Sequence, residues 1–163
     1  MTIDTVVKAF FVAGQSPLST QIFNIISFSV YIMLVVGGIY LFYKRDKLNL
    51  TKYLIGGLIL WGIIEVLKIL AMRERPDLSG NDSFPSRHAG LSFFVAGFLP
   101  IDMKLKIQLC IWAALIAVSR LALNLHWLSD VVVGSVIGFA FGYLVEKIKI
   151  EEIKNKILQA VRR

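Results

Sequence analysis

His126 lies in a polar stretch, Ser119 to Asp130, between two strongly apolar runs. Arg120 precedes it by six residues and Asp130 follows it by four. If the second half of this stretch is helical, His126 and Asp130 share a face, because residues four apart stack on one side of a helix. An imidazole, a carboxylate to orient it and a guanidinium nearby suit the processing of a phosphate group. Two further polar clusters stand at the ends of apolar runs. Lys68 and Arg75 are seven residues apart, about two helical turns, so both can face one way. Pro76 then prevents simple continuation of that helix. Pro85, Ser86, Arg87 and His88 open the next run, with Ser83 as a candidate N-cap and Pro85 suited to a first turn. A helix N-terminus there would offer free N–H groups and a positive dipole end to phosphate oxygens.

The elements that must position these residues belong to a membrane. Hydrophobic residues make up 56% of the 163, and the mean hydropathy is +0.70, well above that of a soluble domain. The length fits a single domain, 1–163, with no repeat, low-complexity tract or linker. A formal charge of +7 can signal nucleic acid, but the basic residues cluster at the ends of apolar runs. Membrane topology accounts for them better, and no nucleic-acid partner is expected. Cys110 is the single cysteine and sits in an apolar run, so it reads as a packing residue. Asp4 precedes Lys8, so a basic signal-peptide start is missing, and the first long apolar run is expected to act as an uncleaved anchor.

Taken in order, Ile3, Val6, Val7, Phe10 and Phe11 recur at helical spacing with Asp4 and Lys8 off that face. This predicts an amphipathic interfacial helix too short to span. Spans are expected over 21–43, 53–70, 85–103, 107–123 and 128–145. The fold class is therefore an all-α integral membrane protein, a bundle of about five transmembrane helices plus the N-terminal interfacial helix. Ile150, Ile153, Ile157 and Val161 keep helical spacing in the charged tail. The basic loop Lys44–Lys52, the turn at Lys104 and Lys106, and the tail fall on one side, expected to be cytoplasmic. Arg73, Arg75, Arg87 and Arg120 lie near the other side against that trend, and binding an anion is one reason for them. Gly134, Gly138 and Gly142 form a small-residue stripe, suited to close packing within the protein or between copies, which leaves a homo-oligomer open.

Lys68 with Arg75 and Pro76, then Pro85, Ser86 and His88, then Ser119, Arg120, His126 and Asp130, resemble the three-part signature of the type 2 phosphatidic acid phosphatase (PAP2) superfamily. The resemblance covers residues 68–130, with all three parts in order and at one membrane face. It implies that His126 is the nucleophile and forms a phosphohistidine, with Asp130 holding its ring in the right tautomer. It implies that His88 protonates the leaving oxygen and then activates water. Lys68, Arg75 and Arg120 would bind the non-bridging oxygens, with Ser86 and Ser119 adding hydrogen bonds. Asp130 is the only carboxylate at a motif position, too little for a two-metal site, so a reaction without metal or cofactor is expected.

Arg87 departs from the pattern, which usually has Gly between the Ser and the His. It either adds a fourth cation to the site or meets a substrate headgroup, and the headgroup reading is preferred. Bacterial lipid phosphatases of this family commonly have six spans, one more than counted here. Glu65 is expected to pair with Lys68 or to face water, Arg73 to touch headgroups, and Asn124 to end a helix or bond near the site. Trp127 packs or walls the pocket. The reading is a membrane phosphatase, in the cell (cytoplasmic or inner) membrane, acting on a lipid phosphate or diphosphate at the extracytoplasmic face. Haloperoxidase chemistry belongs to soluble relatives, and a transporter or catalytically silent lipid-binding protein is the rival from another class. Topology is checked by labelling single cysteines placed at Asn81 and Asn155 in a Cys110→Ser background. Labelling from opposite sides is expected.

Overall fold

A computed structural model describes residues 2–149, so the expected helix of the charged tail lies outside the described residues. Six helices follow one another: α1 (Ile3–Ala13), α2 (Pro17–Tyr43), α3 (Lys47–Ala71), α4 (Arg87–Phe98), α5 (Met103–Ala122) and α6 (Leu128–Lys147). No strand occurs among the described residues. Several helices begin earlier than their apolar runs because polar residues cap them. Ser16 forms a capping box with Ser19 and is followed by Pro17 at the first position of α2. The carboxylates of Asp46 and Asp102 accept the N–H groups of Asn49 and Leu105 at the starts of α3 and α5. Most of the expected basic loop 44–52 is thus the first turns of α3. Lys52 is buried there and donates to the carbonyls of Glu146 and Ile148, at 2.7 and 3.1 Å, closing the C-terminus of α6.

Four helices, α2, α3, α5 and α6, are long and apolar enough to cross a membrane. The expected third span is not among them. Its apolar run ends as a helix at Phe98, because Leu99 precedes Pro100 and takes an extended conformation with ψ 125°. The 12 residues of α4 rise only about 18 Å, against a hydrocarbon core of roughly 30 Å. This helix is apolar for another reason: Ala89 to Phe98 face other helices, with only Phe93 less than buried. Hydropathy registers burial in protein and contact with lipid alike, and by length and composition the described residues hold four candidate spans, which does not confirm the count of about five.

The packing around α4 depends on small residues. Lipid tails are as apolar as leucine, so helices here gain little from hydrophobic transfer and much from close contact. Asp130, Gly134, Gly138 and Gly142 follow at four-residue intervals on one face of α6. A Cβ at Gly134 would stand 2.5 Å from the Ser86 carbonyl oxygen, and one at Gly138 would overlap the carbonyl of Gly90. The glycine stripe therefore seats α6 on the backbone of α4 within one chain. On the other side of α4, Phe94 stacks on Tyr53 with ring centroids 5.5 Å apart. Gly138→Ala is expected to destabilise the protein by about 1–3 kcal/mol through overpacking. Gly62→Ala, whose Cβ meets nothing within 4 Å, should be neutral or slightly stabilising; thermal unfolding in detergent compares the two.

Candidate active site

All three polar clusters meet at one end of the bundle. Lys68 and Arg120 stand in the last turns of α3 and α5, while His88 and Asp130 stand in the first turns of α4 and α6. The connection 72–86 and the short link 123–127 lie between them. Each holds a residue at positive φ near its start, Met72 at 43° and Asn124 at 56°. Asn tolerates this left-handed conformation better than most residues, and Asn124 thereby ends α5 and turns the chain toward His126.

His126 is buried, and its Nδ1 lies 2.7 Å from the carbonyl oxygen of Ser83. A carbonyl only accepts, so Nδ1 carries the proton and the Nε2 lone pair is free. Burial holds the imidazole below its ordinary pKa. Arg120 and Lys68 push the same way, against the negative charge of Asp130. The ring is thus neutral near pH 7, the state a nucleophile needs.

Asp130 was expected to orient this ring directly. Its Oδ2 is 3.7 Å from Nδ1, beyond hydrogen-bond reach. The carboxylate, fully buried, instead accepts from the Ser83 hydroxyl, from the Trp127 N–H at 2.8 Å and from Arg73 Nη1 at 2.6 Å. It orients His126 through Ser83 and keeps a charge near the ring. Ser83 is therefore not the N-cap of α4. Ser86 holds that position after a cis Phe84–Pro85 peptide, and its N–H donates to the Asp130 carbonyl at 3.0 Å.

The cations are held by residues whose role the sequence did not mark. Asp82 receives Arg75 in a two-pronged pair, Nε at 2.7 Å and Nη2 at 2.9 Å, and its backbone carbonyl accepts from Lys68 Nζ. The Arg75 hydrogen bond holds the Asp82 carboxyl at about 2 and raises the guanidinium pKa in turn. Nothing in its spacing sets Asp82 apart from Asp77. Glu65 pairs with Arg87 Nη1 at 2.8 Å rather than with Lys68. Arg73 pairs with both Asp130 and Asp4. Trp127 ties down the connection 72–86 by donating its indole N–H to the Glu74 carbonyl at 2.8 Å. The His88 ring meets Tyr31 edge to face at 5.9 Å. Ser119 donates to the Ile116 carbonyl of its own helix at 2.6 Å.

Arg120 is buried and donates Nη1 to the Ser27 hydroxyl at 2.5 Å. Its Nε and the Ser86 hydroxyl are buried without a protein partner. Native proteins rarely leave such groups unmatched, and unmatched donors are a mark of a binding site. Together with Lys68 and Arg75 they suit the oxygens of a tetrahedral anion. Among the described residues, no group of three His, Cys, Asp or Glu side chains comes together as metal ligands.

Comparison with known proteins points the same way. The model of the PAP2 superfamily matches residues 49–153. An uncharacterised protein of Methanocaldococcus jannaschii is 27% identical over 86% of this chain. A PA-phosphatase related-family protein of Dictyostelium discoideum is 33% identical over 50% of it. The chain spans 66% and 41% of these two relatives' lengths. Among solved structures, Aquifex aeolicus LpxE superposes with a TM-score of 0.78 at 21% identity, covering 91% of this chain and 97% of that one. A PAP2-type phosphatidylglycerolphosphate phosphatase of Bacillus subtilis gives 0.73 at 24% identity, covering 94% and 85%. Orthovanadate, a tetrahedral phosphate mimic, is expected to raise the melting temperature. Ser86→Ala and Arg120→Lys should each weaken its binding about tenfold or more, the weight of a hydrogen bond to a charged group; calorimetry measures this.

Proposed function

The chain belongs to the PAP2 superfamily, and on that premise we propose that it removes phosphate from a membrane lipid phosphate or diphosphate through a phosphohistidine. The observation that carries this reading is the free Nε2 of a neutral, buried His126, fixed by Ser83, beside buried donors without partners. Nε2 attacks phosphorus and the bond to the leaving oxygen breaks, its electron pair staying on that oxygen. His88, which takes up a proton when the phosphate anion offsets the neighbouring cations, delivers that proton there. In the second step His88 takes a proton from water, the hydroxide attacks phosphorus, and the N–P bond breaks to return the pair to Nε2. Lys68, Arg75, Arg120 and the Ser86 hydroxyl hold the non-bridging oxygens and the charge that builds on them. Ser119 joins them only by turning its hydroxyl away from Ile116. Asp130 stabilises the positive ring without touching it. No step needs a metal or cofactor.

A lipid substrate is supported by the surface below the site. A groove of about 660 Å³ runs between α2 and α3, lined by apolar side chains such as Leu34, Phe42, Leu58 and Leu91. Leu91 lies one turn beyond Arg87 on α4, and Trp61, also in the lining, one turn before Glu65 on α3. A hydrocarbon chain in the groove would bring its headgroup past the Glu65–Arg87 pair to the cations. Arg87 would meet that headgroup, in competition with Glu65. The extracytoplasmic placement of the site, in the cell membrane, is supported by Lys44, Arg45 and Lys47 around the α2–α3 turn and Lys104 and Lys106 at the start of α5. All of these are at helix ends opposite the site.

The test is phosphate release from detergent-solubilised protein in EDTA, across phosphatidate, phosphatidylglycerol phosphate, undecaprenyl diphosphate and lipid A phosphates. Turnover is expected without metal, and His126→Ala should lower it about a thousandfold. Full turnover in His126→Ala would remove the nucleophile assignment, and restoration by magnesium after loss in EDTA would remove the metal-free mechanism. A catalytically silent lipid-binding protein would release no phosphate from any of the panel.

A further inference from the structure

The interfacial helix α1 is joined to the nucleophile by an unbroken series of polar contacts. Asp4 Oδ2 accepts Arg73 Nη2 at 2.8 Å. Arg73 Nη1 reaches Asp130 Oδ1 at 2.6 Å, Asp130 Oδ2 accepts the Ser83 hydroxyl, and the Ser83 carbonyl accepts His126 Nδ1 at 2.7 Å. Asp4 also accepts the N–H and hydroxyl of Ser129, at 3.0 and 2.7 Å, which satisfies the exposed start of α6 beside Asp130. Two further polar residues of α1 and its C-terminal turn also reach across to the bundle. Lys8 donates to the Pro76 carbonyl at 2.6 Å and stands over the Trp127 ring, and Gln15 donates to the Ala122 carbonyl at 2.9 Å.

We propose that α1 is a positioning element of the active site, in which Asp4 and Arg73 fix Asp130 and, through it, the ring of His126. This rests on the phosphatase reading given above. A fully buried carboxylate needs a cation held in place. Arg73 is that cation, yet it stands on the connection 72–86, a third exposed. Asp4 and the Trp127 face, 5.7 Å from the guanidinium, are what keep it there. The helix has two apolar edges that explain how it stays seated. Val7 and Phe11 pack on Ala89, Ala117, Leu121 and Val131. Ile3 and Phe10, 74% and 75% exposed, point away from the protein, as an interfacial helix presents itself to lipid. Neither Asp4 nor Arg73 shares a hydrogen bond or ion pair with the phosphate-binding cations Lys68, Arg75 and Arg120, so their effect should fall on the chemical step and not on anion binding.

The experiment measures kcat and KM for Asp4→Asn and Asp4→Glu with dioleoyl phosphatidate, or the panel lipid that the wild type turns over fastest, in mixed micelles. Orthovanadate titration counts folded sites and gives their anion affinity. Asp4→Asn is expected to lower kcat per vanadate-binding site about tenfold or more, the scale of a small misplacement of a reacting group. KM and vanadate affinity should stay within about threefold of wild type, and Asp4→Glu, which keeps the charge, should recover most of the loss. The proposal is overturned if Asp4→Asn keeps wild-type kcat, if vanadate affinity falls in step with kcat, or if Asp4→Glu is as impaired as Asp4→Asn. A wild type that releases no phosphate from any lipid of the panel instead removes the phosphatase reading itself, and this proposal with it.

Discussion

A carboxylate with no solvent exposure must find all its partners inside the protein, and Asp130 is such a group. Taking it out of water costs several kcal/mol unless charge and hydrogen bonds replace the lost solvation. Two of the carboxylate's partners come from far along the chain. Arg73 and Ser83 arrive from the connection after α3, Trp127 offers its N–H from the turn before α6, and the backbone carbonyl of Asp130 takes the N–H of Ser86 at the start of α4. The demands of one buried charge thus tie the connection after α3 to the start of α6, and the backbone carbonyl of the same residue adds the start of α4. That junction lies beside His126, whose proton position follows from it.

The packing of the helices serves the same junction. Asp130 and the three glycines after it share one face of α6, and that face lies on the backbone of α4. Without a side chain at Gly134, the start of α6 can approach Ser86 closely enough for the 3.0 Å contact to form. The approach that gains dispersion energy in an apolar medium is also what sets the His88-bearing helix against the His126-bearing turn. Site geometry and bundle stability are in this sense one construction.

The arginines divide by what their neighbours offer. Arg75 and Arg73 are matched to Asp82 and Asp4, and Arg73 also to Asp130. Arg87 is matched to Glu65, each one helical turn from a residue that lines the apolar groove. Arg120 is the deep one, with a single hydroxyl partner and an Nε left over. A cation already neutralised by a carboxylate gains less from an arriving anion than one that is not. On the proposed reading the strongest pull on a phosphate would sit deepest, with the paired arginines nearer the surface.

The all-helical membrane class, the spanning helices α2, α3, α5 and α6, and the polar residues that gather at one end of the bundle were legible in the sequence. Helical periodicity, runs of apolar residues and end-of-run charges are local signals, and the three polar clusters declared themselves by composition and spacing. Tertiary structure alone decided which atoms meet. Arg73 was indistinguishable in sequence from a headgroup-binding arginine, yet its partner Asp130 lies 57 residues away. Asp82 and Ser83 looked like ordinary loop residues until Arg75 and His126 were folded onto them. Asp130 had the helical register expected of a partner to His126, but a separation of 3.7 Å gives that hydrogen bond to the Ser83 carbonyl. The short α4 was hidden for a related reason, since an apolar run does not say whether lipid or protein surrounds it. Hydropathy and spacing are properties of a segment. Hydrogen-bond partners, burial and proton placement are properties of pairs that only the packed bundle brings together.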